Sequence, residues 1–167
     1  MSAPVAVIVG APGSGKTTVG REVARVLGVG FRDTDADVVA ATGRTVADIF
    51  LVDGEDAFRR LEATAVAEAL AAHDGILALG GGAVLDETTR ELLAGHRVVF
   101  LDVGLADAAS RVGMARDRPL LLGNPRGQLL AMLDARRPVY QQVATVTVPT
   151  DGREVAEVTA SVLAALS

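Results

Sequence analysis

A short stretch near the N-terminus has the residue types and the spacing of a loop that holds phosphate groups. Residues 10–18 read GAPGSGKTT and fit the pattern G-x-x-x-x-G-K-[ST]. Glycines let backbone N–H groups point inward at an anion, and a helix start adds the positive end of its dipole. Lys16 is the only lysine in the chain, and its compact ammonium suits the outer phosphates. The Thr17 hydroxyl suits the Mg²⁺ ion that bridges them.

The flanking sequence favours this interpretation over a glycine-rich turn that merely packs tightly. An apolar run at residues 5–9 has the character of a buried parallel strand. Helical spacing follows the loop, with four apolar residues predicted on one face: Val19, Val23, Val26 and Leu27. Strand, loop and helix in this order are the context that the motif requires. The residues predicted to surround the nucleotide phosphates are Gly13, Ser14, Gly15, Lys16, Thr17 and Thr18.

Short apolar runs alternate with helical patterns along the whole chain. The strand candidates are residues 4–10, 29–33, 76–79, 97–102 and 145–148. The apolar residues are mostly Val, Leu, Ile and Ala, which suits a parallel sheet covered by helices on both faces. We therefore predict one α/β domain over all 167 residues, with a doubly wound sheet and ligands at the carboxyl ends of its strands. Residues 153–166 are predicted to form a final helix that packs on this sheet.

The overall composition narrows the classes of function. The net charge of −5 argues against general affinity for nucleic acid or for an anionic membrane. The chain has no cysteine, which excludes a disulfide framework and a thiolate metal site. No apolar run approaches the length of a membrane span, and the N-terminus lacks the pattern of a signal peptide. We expect a cytoplasmic monomer with no nucleic-acid or membrane partner.

Two acidic residues end the second strand candidate, in the sequence Asp33-Thr-Asp35. Residues two apart in a strand project to the same side, so both carboxylates are predicted to face the phosphates. One of them would hold Mg²⁺ through its water, and the other would orient an attacking hydroxyl or accept its proton. The alternative is a helix start, with Asp35 as N-cap and Asp37 in the first turn. We favour the functional interpretation for Asp33 and Asp35, and the structural one for Asp37.

The third strand candidate runs into Gly80-Gly-Gly82, where many P-loop enzymes have an acid for magnesium. Three glycines leave backbone N–H groups open to the close approach of a ligand. The alternative is a tight turn, which would not need all three. An acid does follow the next strand candidate, at Asp102, and it is a rival magnesium ligand. We prefer Asp33, because Asp102 could simply cap the helix that starts at Leu105.

An arginine in the longest predicted helix is a candidate receptor for a small carboxylate. The helix is predicted over residues 53–73, with Arg59 near its start and Glu62 one turn further. Glu62 would orient the guanidinium over an aromatic floor of Phe50 and Phe58. The alternative is a solvated helix face beside ordinary core phenylalanines.

Residues 111–125 break the helical pattern and combine arginines with glycine and proline. We predict a mobile lid over about 113–125 that closes over the nucleotide and excludes water. Arg118 precedes a proline and is held out of helical geometry, so that it could reach toward the phosphates. The alternative is an exposed loop whose arginines only face solvent. Arg136, at the end of the following helix, is a second candidate receptor for a carboxylate.

With these motifs placed, the sequence resembles the shikimate kinases, P-loop enzymes related to the nucleoside monophosphate kinases. The similarity covers nearly the whole chain, through GAPGSGKTT at Gly10, DTD at Asp33, TGRTVADIF at Thr42, DGEDAFRRLE at Asp53, LGGGAV at Leu79, RPLL at Arg118 and RRPVY at Arg136. The first motif is generic, whereas the combination of DTD, FRR, GGG and RPLL is specific to this family. It implies transfer of the γ-phosphoryl of ATP to the 3-hydroxyl of shikimate, in the pathway toward chorismate. The implied fold is a three-layer P-loop NTPase fold whose five parallel strands have the order 2-3-1-4-5.

The resemblance also implies roles at the phosphates. Lys16 and Thr17 would serve the phosphates and Mg²⁺, with Asp33 as the acid that holds the magnesium through water. Asp35 would hydrogen-bond the substrate hydroxyls and act as base or orienter. Arg118 from the lid would bridge the substrate and the phosphate.

Further implied roles concern the ends of the two substrates. Within a substrate-binding region of about 34–62 and beyond it, the shikimate carboxylate would be bound by Arg59, Arg136 and a backbone N–H of Gly81 or Gly82. Adenine would lie between the guanidinium planes of Arg111 and Arg153.

Two other functions stay open at this point. Gluconate also combines a carboxylate with adjacent hydroxyls, so a gluconokinase-like enzyme fits the same residues. A regulatory nucleotide-binding protein could keep the loop without transferring phosphate. The presence of Asp35, Arg59 and Arg118 argues against that function, because a pure binder needs no acceptor site.

Overall fold

Five parallel strands form the sheet in this computed structural model, which describes residues 3–111 and 125–167. The strands are β1 (Ala6–Val9), β2 (Phe31–Asp33), β3 (Ile76–Ala78), β4 (Val98–Asp102) and β5 (Val146–Pro149). Their order across the sheet is β2-β3-β1-β4-β5, and every neighbouring pair is parallel. The predicted strands and the predicted order are therefore confirmed.

Helices connect the strands and cover both faces of the sheet. They are α1 (Lys16–Leu27), α2 (Thr34–Thr42), α3 (Val46–Val52), α4 (Glu55–Ala72), α5 (Glu87–Leu93), α6 (Leu105–Arg111), α7 (Pro125–Val143) and α8 (Val155–Leu166). A single 3₁₀ turn, Ala83–Leu85, follows β3. The helices predicted over 53–73 and 153–166 correspond to α4 and α8.

Alternating residues of β1 build two separate apolar layers. Val7 and Val9 belong to the core cluster shared with α4 and α7, whereas Ala6 and Ile8 belong to the cluster shared with α1 and α8. Successive side chains of a strand point to opposite faces, so a central strand that is covered twice must be apolar throughout. All four residues of β1 are at most 1% exposed. The three-layer arrangement is thus confirmed.

The apolar face of α1 differs from the one expected. Val19 and Val23 are buried, but Val26 and Leu27, in the last turn, are 50% and 41% exposed. The small residues Gly20 and Ala24 complete the buried face instead. Small side chains let the helix approach the sheet closely: a Cβ on Gly20 would lie 2.6 Å from Phe31 Cε1.

The α2–α4 region has a small core of its own. Val38, Ile49 and Phe58 are at most 3% exposed and form a cluster apart from those on the sheet. This cluster ties the two short helices to α4. It lies beside the edge strand β2, whose last residue, Asp33, is level with Ala78 of β3. The carboxyl ends of β2 and β3 therefore meet at one edge of the sheet.

The lengths and apolar character of the helices bear on the expectation that the chain has no membrane partner. Among the residues that the structure describes, none of the helices is both long and apolar enough to cross a bilayer.

Candidate active site

The loop between β1 and α1 has the shape expected of a phosphate-binding loop. Gly15 has φ 93°, a left-handed conformation that glycine adopts without strain, and α1 begins at the next residue. The ammonium of Lys16 turns back over the loop, donating to the carbonyl oxygens of Gly10 at 2.8 Å and Ala11 at 3.1 Å. The loop borders a cavity of about 340 Å³, whose lining residues are Gly13, Gly15, Lys16, Thr17 and Thr18.

Charged groups of both signs surround Lys16. Burial lowers the pKa of Lys16 from 10.5 to about 8, an effect that Asp35 and Asp33 oppose and that Arg136 reinforces. Three residues from distant parts of the sequence therefore lie within electrostatic reach of this ammonium. The two predicted acids and Arg136 therefore lie near the phosphate loop.

Asp33 joins the loop to the acceptor side of the cleft. Its Oδ2 accepts from the Thr17 hydroxyl at 3.1 Å, and its Oδ1 accepts from the Asp35 N–H at 2.8 Å. The second bond makes Asp33 the N-cap of α2, so the helix begins at Thr34. The expectations that Asp35 continues the strand or caps the helix are both wrong. Asp35 lies in the first helical turn, and Asp37 pairs with Arg32 at 2.7 Å.

The rival magnesium acid has a different partner. Asp102 Oδ1 accepts from Arg137 Nε at 3.2 Å, across from β4 to α7. This carboxylate oxygen is thus engaged in an ion pair with the guanidinium. The preference for Asp33 over Asp102 is consistent with this arrangement, because the Asp33 carboxylate is the one that contacts Thr17.

Asp35 lies against the glycine loop that follows β3. A Cβ on Gly80 would lie 2.5 Å from Asp35 Oδ1 and 2.7 Å from Glu62 Oε2, so only glycine fits there. Burial raises the pKa of Asp35, and the neighbouring Asp33 raises it further, while Lys16 and Arg59 lower it. Within the described part of the chain, the buried Oδ1 of Asp35 has no hydrogen-bond partner.

The three glycines are not equivalent. The N–H of Gly80 donates to the Thr34 hydroxyl at 3.1 Å, so it is not open to a ligand as expected. The N–H groups of Gly81 and Gly82 have no acceptor among residues 3–111 and 125–167. A Cβ would overlap with neighbouring side chains at Gly80 and Gly82, and at Gly81 it would lie only 3.0 Å from Pro12 Cδ. The loop is thus more than a tight turn, and two of its N–H groups remain available.

Arg59 is held where the sequence predicts. Its Nη1 donates to Glu62 Oε1 at 2.8 Å, and its Nη2 donates to Glu55 at 3.3 Å. Its Cζ lies 5.5 Å from the ring centroid of Phe58 and 5.8 Å from that of Phe50. The alternative of ordinary core phenylalanines also holds in part, because the rings of Phe50 and Phe58 contact each other within the small core. Orientation by Glu62 over an aromatic floor is confirmed.

Glu62 is a buried carboxylate whose charge Arg59 compensates. The side chain is 3% exposed, and burial raises its pKa while the hydrogen bond from Arg59 lowers it. The guanidinium itself lies against the glycine loop, because a Cβ on Gly82 would fall 2.4 Å from Arg59 Nη1. Arg59 and the Gly82 backbone therefore lie side by side.

Helix α7 brings a residue that the sequence analysis did not single out. The Tyr140 hydroxyl donates to the Gly81 carbonyl. Burial raises the pKa of Tyr140, and the nearby Arg136 guanidinium lowers it. Arg136 also lies within electrostatic reach of Lys16 and Glu62. The four-residue spacing of Arg136 and Tyr140 on one helix face is the signal that could have found this pair. Asp35, Arg59 and Arg136 thus meet at the glycine loop, beside Lys16.

Arg153 lies on the far side of the phosphate loop. It donates to the Pro149 carbonyl at 2.8 Å, the Glu157 carbonyl at 3.0 Å and the Ser161 hydroxyl at 2.5 Å. With these donors engaged, the guanidinium plane is fixed. It borders a cavity of about 160 Å³ whose other lining residues are Ser14, Gly15, Thr18, Val19, Thr150, Val155 and Val158.

Two predicted arginines and the predicted lid lie wholly or partly outside the described residues. Arg118 and the lid over about 113–125 lie outside the described residues, apart from the backbone of Pro125. Arg111 ends α6, but its side chain also lies outside the described part.

Comparisons with known proteins agree with this geometry. The shikimate kinase family model matches residues 12–167. A shikimate kinase from Frankia casuarinae is 65% identical over 160 residues, which are 96% of this chain and 71% of that protein. The structure of the Acinetobacter baumannii shikimate kinase in complex with shikimate has a TM-score of 0.88 at 33% identity, covering 99% of this chain and 93% of that one.

A more distant likeness concerns the fold alone. A gluconokinase from Sinorhizobium meliloti has a TM-score of 0.62 at 22% identity, covering 99% of this chain and 91% of that one. The family match, by contrast, spans both the phosphate loop and the acceptor side. On the strength of that match and of its close relatives, this chain belongs to the shikimate kinase family.

Proposed function

We propose that this cleft transfers the γ-phosphoryl group of ATP to the 3-hydroxyl of shikimate, giving shikimate 3-phosphate and ADP. The observation that carries the proposal is the convergence of Asp35, Arg59 and Arg136 on the glycine loop beside Lys16. A phosphate loop alone would serve any nucleotide binder. A carboxylate receptor and a free acid next to that loop serve an acceptor molecule.

On the phosphate side, the chain supplies positive electrostatic potential. The N–H groups of residues 13–18 and the start of α1 would hold the phosphate oxygens. Lys16 would exchange its carbonyl partners on Gly10 and Ala11 for phosphate oxygens. The transition state of phosphoryl transfer spreads negative charge over the transferred group, so positioning and charge stabilisation provide most of the catalysis.

Thr17 and Asp33 would hold Mg²⁺ together with the phosphates. Their oxygens are in contact, at 3.1 Å. A single hydroxyl and a single carboxylate fit a small hard cation that keeps several of its own waters. When bound, the ion offsets charge on the phosphates. No cluster of three or more metal-binding acids or histidines occurs among the described residues.

Asp35 would accept a hydrogen bond from the 3-hydroxyl and take its proton as the oxygen attacks phosphorus. Its Oδ1 is buried and has no partner within the described chain, so it is available for a substrate hydroxyl. A general base works best when its pKa approaches the working pH, and burial moves the pKa of Asp35 in that direction.

Arg59, Arg136 and the Gly82 N–H would bind the carboxylate of shikimate. A guanidinium can give two parallel hydrogen bonds to a carboxylate. The hydrogen bond from Arg59 to Glu62 fixes the plane of the guanidinium. The N–H of Gly81 is an additional donor at the same loop.

Three further arginines complete the proposal. The face of Arg153 would stack on adenine in the cavity of about 160 Å³, with Arg111 on the other side. Arg118 would reach from the lid to the transferred phosphate.

The substrate-binding region, about 34–62, and the phosphate loop belong to one domain, residues 1–167. Because all of these roles fall on one chain, a monomer is a sufficient active unit.

The test is ADP release measured with shikimate and, separately, with gluconate, at saturating MgATP. We expect ADP release to depend on shikimate, with kcat/KM for gluconate lower by at least about a hundredfold, since a misplaced hydroxyl loses near-attack geometry. Phosphorus NMR of the product would locate the phosphate on the 3-oxygen. Better turnover of gluconate would contradict the assignment of shikimate as the substrate. ATP consumption that does not depend on either acid would contradict phosphoryl transfer to such an acceptor.

A further inference from the structure

Tyr140 has no part in the proposed chemistry, yet its hydroxyl lies between two parts of the proposed carboxylate receptor. The ring is 2% exposed and stacks on Phe100, with centroids 5.0 Å apart and planes inclined by 27°. The hydroxyl donates to the Gly81 carbonyl, and the Arg136 guanidinium lies near it. This oxygen atom thus lies next to both a guanidinium and the backbone of the glycine loop.

The bond to Gly81 fixes the direction of the next N–H. None of the described peptide bonds is cis. In a trans peptide, the carbonyl oxygen of one residue and the N–H of the next point in opposite directions. Because Tyr140 holds the carbonyl of Gly81, the N–H of Gly82 points away from the tyrosine. That N–H has no acceptor among the described residues, and the Arg59 guanidinium lies against the same glycine.

A glycine pair needs such a constraint more than other residues do. Gly81 and Gly82 carry no side chain that could lock their peptide plane, and glycine has the widest choice of backbone angles. Without the Tyr140 hydroxyl, the plane can rotate. The Gly82 N–H is then no longer directed at the receptor.

We infer that Tyr140 is a positioning residue for the acceptor carboxylate: its hydroxyl holds the Gly81 carbonyl and thereby aims the Gly82 N–H. It touches no reacting atom. The inference rests on the proposed function, because it requires the shikimate carboxylate to bind between these groups.

The rival explanation is that the hydroxyl only satisfies a buried carbonyl. In that case its removal would leave an unpaired acceptor and lower the stability of the protein without a selective effect on one substrate. The two explanations therefore differ in whether KM for shikimate changes, and not in whether the melting temperature changes.

The experiment uses Tyr140→Phe, which removes the oxygen and keeps the ring on Phe100. We expect KM for shikimate to rise about tenfold, as for loss of one partner in a buried polar pair. We expect kcat and KM for ATP to stay within about twofold, since no group on the phosphate side changes. The matched control is Thr159→Val, which removes another buried hydroxyl, 4% exposed and located in α8. This control should leave both KM values unchanged.

A second substrate makes the test specific for the carboxylate. With shikimate methyl ester, which has no anion for the receptor, wild type and Tyr140→Phe should have the same KM. An unchanged KM for shikimate in the variant, or an equal rise for acid and ester, would overturn the inference. If Tyr140→Phe does not fold, the second variant is Phe100→Leu, which keeps the hydroxyl but removes the ring on which Tyr140 stacks. This variant must raise KM for the acid and not for the ester. An unchanged KM for the acid, or an equal rise for both, overturns the inference.

Failure of the proposed function would look different. Wild type would then show no shikimate-dependent ADP release at all. An active wild type combined with an unaffected Tyr140→Phe variant would reject only the role of Tyr140.

Discussion

The phosphate-binding loop of the cleft comes from one continuous segment, whereas the acceptor side comes from four separate ones. Residues 10–18 supply the loop, its lysine and its hydroxyl, and the loop is held by bonds within itself. The acceptor side combines the start of α2, the first turns of α4, the loop at 80–82 and the end of α7. Contacts between segments hold these parts together, such as those of Thr34 with Gly80 and Tyr140 with Gly81.

This difference predicts how each side responds to mutation. A change in the loop alters groups that contact the phosphates, so it should affect the rate of transfer. A change on the acceptor side displaces one member of a packed set, so it should affect shikimate and spare ATP. Asp35 belongs to both sides, because it lies within reach of Lys16 and against Gly80.

The largest effect is expected from Lys16→Ala. The substitution removes a positive charge that stabilises the transition state, so kcat should fall by about a thousandfold, in the range found for loss of one preorganised donor. KM for shikimate should stay within about threefold, since the acceptor side is intact. Steady-state ADP release checks both values. An equal rise in KM for shikimate would mean that the two sides are not separable.

Asp35→Asn should come next. The amide cannot accept the hydroxyl proton, so kcat should fall by about a hundredfold, the lower end for general base catalysis. ATP binding, measured by calorimetry, should be nearly unchanged. Asp37→Asn is the matched control, because Asp37 lies on the same helix but pairs with Arg32. An unchanged kcat in Asp35→Asn would remove this residue from the mechanism.

Gly82→Ala tests the close packing of the acceptor side. The new Cβ would lie 2.4 Å from Arg59 Nη1, so the guanidinium must move away. Loss of a well-placed charge-assisted bond should raise KM for shikimate about tenfold while KM for ATP stays constant. Gly95→Ala is the control, since a Cβ there meets nothing within 4 Å. Equal KM values for the two variants would show that the Arg59 position does not depend on Gly82.

The smallest effect is a pH dependence on the phosphate side. Below a pH of about 8 the buried Lys16 is mostly protonated, and above it mostly neutral. ATP binds the ammonium, so its affinity should weaken as pH rises through that value. Because bound phosphates raise the pKa of Lys16 again, binding near its midpoint should take up protons. Calorimetry in two buffers of different ionisation enthalpy measures this uptake, which Lys16→Met should abolish.

The same contrast explains how far the sequence could predict the molecule. The five strands and the phosphate loop follow from local patterns, and both were predicted at nearly their observed places. The orientation of Arg59 by Glu62 was also predictable, because the two residues are one helical turn apart.

Two kinds of contact account for the errors. Locally, the Asp33 carboxylate accepts from the Asp35 N–H, so α2 begins at Thr34, two residues earlier than with Asp35 as its N-cap. The pairing of Asp102 with Arg137 and the bond from Tyr140 to Gly81 join residues far apart in the chain. No local pattern encodes these two long-range contacts, since they depend on how α7 packs on the sheet.

The most direct test of the account is a crystal structure of the protein with MgADP and shikimate. We expect the carboxylate to lie between Arg59, Arg136 and the Gly82 N–H, and the 3-hydroxyl to lie within about 2.6–3.2 Å of Asp35, facing the nucleotide. A shikimate molecule bound away from the glycine loop, or with its carboxylate toward Lys16, would contradict the claim that both sides serve one reaction.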